Sequence, residues 1–434
     1  MSKSEAANKR RNLLVACGFT AMFTWGFLAF VQIGRYAVEG TLFARVLDGR
    51  PYTNDFVSYY NAAVLGRRCF TEKIDIYNID IQNESLNRLI APVVPELPFF
   101  LQYPPYFFVL VSPLAFLGML PAWLVWISTG LFLMFCTYGK LASPSYPQLS
   151  KQRLLFALVL SSFPCWLSVQ LGQTSLFLFA ATASFFCLLE EKRGAFAGAV
   201  SGLHMIKLQY YPVIGLVGLI FGRFKFLVGA AGILALLLGL SVFVLGLDNV
   251  IHYPQALLKG EAGPGISGVS PHAMQNVRGQ LHVLVGGDLP VVRYVSLGAL
   301  VAGIAFVGWL WGFAREKLCR FELHGFRLLA AVTILIMLVT SPHTHSQDYL
   351  LLALPAVMLR PWLDERCAGA GAAHLRFARA LLIWWPAASW VMFFLMQLAP
   401  LTRVQPFFVW ALCLLLPVLV EIVTILRKEP VQAS

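Results

Sequence analysis

Apolar runs long enough to cross a bilayer recur along most of this 434-residue chain, and nothing else constrains its fold so tightly. A hydrocarbon layer about 30 Å thick takes about 20 apolar residues in a helix. Inside it every peptide group must find its hydrogen bond within the protein. Charged residues make up 12% of the chain and hydrophobic ones 58%. Soluble domains carry about twice that charge. The mean hydropathy of +0.71 points the same way. A disordered tail protein, a disulfide scaffold, a coiled coil and a soluble enzyme are excluded. The expectation is an all-α polytopic transmembrane bundle forming one integral membrane domain over residues 1–434, with no second soluble domain. The formal charge is +12, but the basic residues lie in short inter-helix segments and not on one soluble face. No nucleic-acid partner is expected.

Lys9, Arg10 and Arg11 precede an apolar stretch from Leu13 to about Gly34 that lacks a small-residue cleavage site, so it reads as an anchor. Leu14-Val15-Ala16-Cys17 resembles a lipoprotein cleavage box, but almost no apolar run precedes the cysteine. Further spans are expected at 103–120, 122–138, 154–170, 173–189, 194–221, 226–247, 291–313, 324–340, 349–360, 380–398 and 404–426, about twelve in all. Basic residues then number 15 in the segments placed inside and 8 in the short segments placed outside, which favours cytoplasmic termini. The stretch 139–221 fits worst. Its outside turns carry five of those eight basic residues, and Gly172-Gln173 falls on the inner side. Short helices dipping only partway satisfy the count equally well, so that stretch stays open.

Two hydrophilic segments, 35–102 and 248–290, face outward in this arrangement and lack the apolar periodicity of an independent core. They are expected to pack on the bundle as short helices and loops. The eight cysteines form no Cys-x-x-Cys pair, and only Cys69 lies in the first of these segments, so neither a disulfide there nor a zinc site is supported.

Ionisable groups at or below the membrane surface are costly to keep, and usually serve function. Four clusters qualify. Asp55 and Tyr59 share one face of a short helix expected to stop near Gly66. Asn54 can cap that helix, or Asp55 itself can. Gln102-Tyr103-Pro104-Pro105-Tyr106 suits a first helical turn and an interfacial aromatic belt. Lys207, with Gln209 beside it, interrupts an apolar run. It either snorkels or meets an anion such as phosphate. Ser341-Pro342-His343-Thr344-His345-Ser346-Gln347-Asp348-Tyr349 is a polar knot between two spans, able to bind a metal or donate to a phosphate. Arg278, in the second outer segment, adds a guanidinium suited to phosphate. Walker, GxSxG and HExxH motifs are absent.

Together these pieces resemble the glycosyltransferase-C superfamily, and family 87 in particular, whose members include polyprenyl-phosphate-mannose-dependent mannosyltransferases. The resemblance rests on Asp55, Tyr59 and Ala62, then Asp75-Ile76-Tyr77, Tyr103-Pro104-Pro105, Gly172-Gln173, Lys207-Leu208-Gln209, Ser341-Pro342-His343 and Asp348-Tyr349, in order over about residues 50–355. Many members carry proline directly after the Lys-x-Gln stretch, whereas here Tyr210 and Tyr211 come before Pro212. The resemblance implies a hexosyltransferase of the cytoplasmic membrane with its active site on the extracytoplasmic face. Its donor is a polyprenyl-phosphate-linked sugar, mannose being the family's best-known one. Its acceptor is a glycan or glycolipid hydroxyl that the sequence does not identify. Configuration inverts, with Asp55 as general base and Tyr59, Tyr103, Lys207, Gln209, Arg278, His343, His345 and Asp348 around the donor phosphate and substrate. No metal or other cofactor is expected. The competing readings are a polytopic transporter or lipid flippase, which would show paired repeats, and an assembly subunit with a degenerate site.

Overall fold

The computed structural model describes residues 55–91, 100–262, 271–321, 324–367 and 372–427, with isolated helical positions between 23 and 31. The expected first span, the Leu14–Cys17 box and Asn54 lie outside the described residues or are described at only a few positions.

Every regular element among the described residues is helical, apart from one isolated antiparallel bridge between Met274 and His345. Five of these helices are long and apolar enough to cross a membrane, or six if the bent pair α5 (Leu149–Leu160) and α6 (Phe163–Leu171) counts as one span. That confirms an all-α polytopic membrane protein, while the count of about twelve is not reproduced by helix length.

The outer segment contributes α1 (Asp55–Glu72) and α2 (Ile79–Ile90). α1 does not stop near Gly66. That glycine lies mid-helix, where a Cβ would sit 2.7 Å from the Phe108 carbonyl oxygen, so it permits α3 (Pro105–Val111) to approach. α3 and the 3-10 turn after it end by Leu117, whose carbonyl accepts from Tyr60 Oη at 2.6 Å. The expected span 103–120 is therefore a short helix against α1, and the first long described span is α4 (Met119–Ala142). Besides apolar contacts such as Val57 with Leu86 and Ile90, this layer is tied by side-chain amides. Gln82 joins the Ile76 carbonyl (2.7 Å) to the Leu101 amide (2.7 Å), and Asn249 accepts from the Ile76 amide at 3.0 Å.

The region 163–245 departs most from expectation. α7 (Ser175–Glu190) is followed by α8 (Gly194–Ser201), a 3-10 stretch to Tyr210, and α9 (Tyr211–Leu245). A Cβ on Gly222 would lie 3.6 Å from the Gly194 Cα, so these two residues touch. A single helix between them would hold them about 40 Å apart. Residues 194–222 therefore go in and come back, with the break at Lys207 (φ −116°, ψ 79°). Arg223 (φ 47°) then turns the chain so that the rest of α9 runs alongside α8. Gly194, Gly198 and Gly202 line this seam. A Cβ on Gly198 would fall 2.2 Å from the Phe226 carbonyl oxygen, and only glycine admits such approach. The expected single span 194–221 is thus a hairpin of two short arms, with Lys207 at its tip.

The ends of the bundle are fixed by polar contacts. Lys140–Glu191 (2.8 Å), Arg327–Glu190 (3.0 Å), Arg366–Glu421 (3.4 Å) and His324–Glu365 (3.4 Å) gather 140–146, 190–194, 221–225, 315–321, 324–327, 360–367 and 372–379 at one end. Arg315 over the Phe221 ring joins the hairpin's return to that group. Asp55, Gln173, Lys207, Asp348 and the Asn249 tether lie at the other end. Gly172-Gln173 is accordingly beside Asp55 and not at the opposite side. The turns 139–153 and 190–193, expected beside the outer segments, lie at the far end.

Candidate active site

Two tight turns and one polar connector converge beneath α1. The first turn ends α6. Gly172 takes a left-handed conformation (φ 64°) that caps the helix, and a Cβ there would lie 2.5 Å from the Phe56 Cβ. Glycine is required twice over, for the backbone and for the contact. Trp126 Nε1 donates to the Gly172 carbonyl at 2.7 Å and locks the turn. The next residue, Gln173, thereby reaches α1. Its Nε2 donates to Asp55 Oδ2, and its Oε1 accepts from Tyr59 Oη at 3.2 Å. Tyr103 Oη donates to Tyr59 Oη at 3.3 Å, and the Tyr103 ring stacks on Phe107 at 4.5 Å. Asp55, Tyr59 and Tyr103, proposed together from the sequence, are together.

Two residues further on, Ser175 serves the second group. Its Oγ donates to Asp348 Oδ1 at 2.6 Å, and Lys207 Nζ donates to both Ser175 Oγ (3.3 Å) and Asp348 Oδ1. Asp348 is fully buried and Lys207 12% exposed, so Lys207 is no snorkelling lysine. The His345 amide donates to the other Asp348 oxygen at 3.2 Å, closing a capping box on the 3-10 helix Ser346–Leu352. The connector 341–345 is held in turn by Asn276, whose Nδ2 donates to the Ser341 carbonyl at 2.6 Å, and by the Gln275 amide on the Thr344 carbonyl at 2.8 Å.

The charges follow from this burial. Desolvation lifts the Asp55 carboxyl to about 6; the Gln173 hydrogen bond and the Lys207 charge pull it back down, while Asp348 pushes it up. Burial also opposes ionisation of Asp348, but Lys207, Ser175 and His345 outweigh it and hold that carboxyl below its ordinary range. The two carboxylates are thus driven apart, one to a fixed anion and one to a base near neutrality. Burial pushes the His345 imidazole down to about 4 despite Asp348, so it is neutral near pH 7. Tyr59 is held well above its usual range by burial and by Tyr103, and remains a neutral donor.

Other expected residues sit differently. Arg278 is committed to Asp288 at 2.9 and 3.3 Å, an aspartate it shares with Arg293 at 2.9 Å. It rides on α10 (Val277–Val285), whose Asn276 cap is bound to the connector. His343 and Gln209 are half-buried beside the connector and the hairpin tip. Among the described residues no three His, Cys, Asp or Glu side chains gather in metal-binding geometry. Gln173 entered the sequence reading only as part of a pattern, and Ser175 and Trp126 not at all. Nothing local marks a glutamine or serine in an apolar run as functional, and only the reversal of the chain at Gly172 brings them to α1.

A family model described as glycosyltransferase family 87 matches residues 100–342, just over half of the chain. The matched stretch includes Tyr103, the Gly172–Ser175 turn and Lys207, and ends before His343–Asp348. No curated protein and no solved structure matches the chain.

Proposed function

The chain belongs to glycosyltransferase family 87, and from that premise we propose that it moves a sugar, mannose in the first instance, from a polyprenyl-phosphate donor to an acceptor hydroxyl, with inversion and with Asp55 as general base. The observation that carries this reading is the Gly172–Ser175 turn. It holds a near-neutral carboxylate on one flank and a buried lysine on the other.

The acceptor oxygen attacks the anomeric carbon from the face opposite the phosphate, and its proton passes to Asp55. The carbon–oxygen bond to phosphate breaks as the oxocarbenium-like centre collapses onto the acceptor, and the electron pair leaves with the polyprenyl phosphate. A carboxyl near 6 is ionised at pH 7 yet basic enough to take that proton. The leaving group needs donors and not an acid. Lys207 has three N–H bonds, two of them given to Ser175 and Asp348, which leaves one for a phosphate oxygen. Asp348 fixes the ammonium in place, and neutral His345 adds a hydrogen bond without a second charge. Tyr59 and Tyr103 add neutral hydroxyls beside Gln173, His343 and Gln209 are carried by the connector and the hairpin tip, and Arg278 joins the donor side by exchanging Asp288 for the phosphate.

Charge supports an extracytoplasmic site on the cytoplasmic membrane. Among the described short connections and the first turns beside them, fifteen basic residues lie at the far end, including Lys140, Lys151, Arg153, Lys192 and Arg193, against Lys259, Arg278, Arg293 and Arg403 at the site end. That asymmetry is far sharper than the sequence-based arrangement allowed, and positive ends stay in the cytoplasm. The purified full chain in proteoliposomes, given polyprenyl-phosphate-[14C]mannose and native membrane lipid extract, should put label on an acceptor without solute uptake. Label moving only from a nucleotide sugar, or uptake without transfer, would overturn the reading.

A further inference from the structure

Among the described residues no arginine or lysine lies within hydrogen-bonding distance of Asp55; the group that meets it is the neutral amide of Gln173. We propose that Gln173 is the positioning residue for the base: it holds one carboxylate oxygen in place and leaves the other free for the acceptor proton. The inference rests on the assignment of Asp55 as base and adds what orients it.

The amide has one stable orientation. A carboxylate accepts and cannot donate, so the Nε2 end must face Asp55, and the Oε1 end then takes the Tyr59 hydroxyl proton at 3.2 Å. Tyr103 Oη donates onward to Tyr59 at 3.3 Å, so the chain Tyr103–Tyr59–Gln173–Asp55 runs in one direction, each donor pointing toward the carboxylate. Gln173 itself is 5% exposed and its backbone is tied by its own amide to the Ser168 carbonyl at 2.8 Å. The side chain therefore has little freedom to swing away. The amide also spaces charge. Lys207 and Asp348 act on Asp55 only across a distance, with opposite signs, and they belong to the flank of the turn held by Ser175. Tyr59 and Tyr103 face Asp55 as neutral hydroxyls. Replacing the amide by an ammonium would silence the base, and replacing it by a methyl would leave it unheld.

Gln173→Met keeps length and volume while removing the donor, and Tyr59→Phe keeps the ring while freeing the far end of the amide. Polyprenyl phosphate release from polyprenyl-phosphate-mannose by full-length protein, with native lipid extract as acceptor, is followed from pH 5 to 9. In Gln173→Met the acid limb of kcat/KM should move up by about one pH unit, giving about a fivefold loss at pH 6 and nearly tenfold at pH 5 that largely recovers by pH 8, with donor KM within twofold. Tyr59→Phe should move it the same way by less. Gln173→Asn should not rescue, being too short to span the gap. A loss equal at every pH, or an unmoved limb in Gln173→Met, overturns the proposal while leaving Asp55 as base. A wild-type profile with no acid limb near pH 6 overturns both.

Discussion

The Lys207–Asp348 pair is the joint between the hairpin and the 341–348 connector, and removing one member at a time exposes what it contributes. Asp348 is fully buried and Lys207 nearly so, with Ser175 as their shared third partner. Truncating one partner of a buried pair costs about 3–5 kcal/mol, because the other charge stays behind unpaired. Replacing both with apolar residues of similar size is often nearly neutral. Lys207 keeps 12% exposure, so the lower end, about 3 kcal/mol, applies to Asp348→Leu. Lys207→Met leaves Asp348 with Ser175 and the His345 amide, and about 2 kcal/mol is expected, the remaining hydrogen bonds softening the loss. The double variant should return to within about 1 kcal/mol of wild type, a coupling of several kcal/mol for groups in direct contact. Thermal denaturation in one detergent measures the four corners, and transfer assays run alongside. The double variant should be stable yet lose transfer by at least about 100-fold, since no donor remains for the phosphate. Additive losses in stability would refute the pairing, and a fully active double variant would refute the catalytic role of Lys207.

Two further outcomes follow from the same geometry. Gly172→Ala adds a methyl group 2.5 Å from the Phe56 Cβ in a backbone conformation that disfavours side chains; relieving it must push α1, and Asp55 with it, by nearly 1 Å, so kcat should fall about 100-fold with donor KM little changed. The wild-type pH profile should lose about tenfold in kcat/KM per unit below about pH 6, because the Asp55 carboxyl is raised to about 6 by burial and must be ionised to act. The same shift works against the fold. A carboxyl raised in the native state stabilises it at low pH and ceases to as pH climbs through 6, so Asp55→Asn should match wild type near pH 4 and be the more stable protein at pH 8, by at most about 3 kcal/mol.

Much of this molecule was legible in its sequence because hydrocarbon is an exacting solvent. Run length and charge scarcity determine the fold class, and costly buried ions such as Asp55, Lys207 and Asp348 stand out against apolar neighbours. What the sequence hid was direction. Residues 194–222 are apolar and long enough for one crossing, and only contact between Gly194 and Gly222 reveals that the chain doubles back. That reversal, with the turn at Gly172, carries Gln173 and Ser175 to the same end as Asp55 and carries five basic residues away from it. Hydropathy has no term for a helix that breaks and reverses, since glycines and prolines punctuate unbroken and broken segments alike. Arg278 shows a complementary limit. Its guanidinium suits phosphate in isolation, and nothing in the sequence marked Asp288, ten residues on, as its ion-pair partner.

One carboxylate at the heart of the site is what the whole account depends on, and Asp55→Asn tests it with one oxygen exchanged for an amide. With polyprenyl-phosphate-mannose bound as tightly as before, transfer at pH 7 and above should fall by about 100- to 10,000-fold, the range expected for a lost general base. Transfer at the wild-type rate by that variant would mean that another group takes the proton.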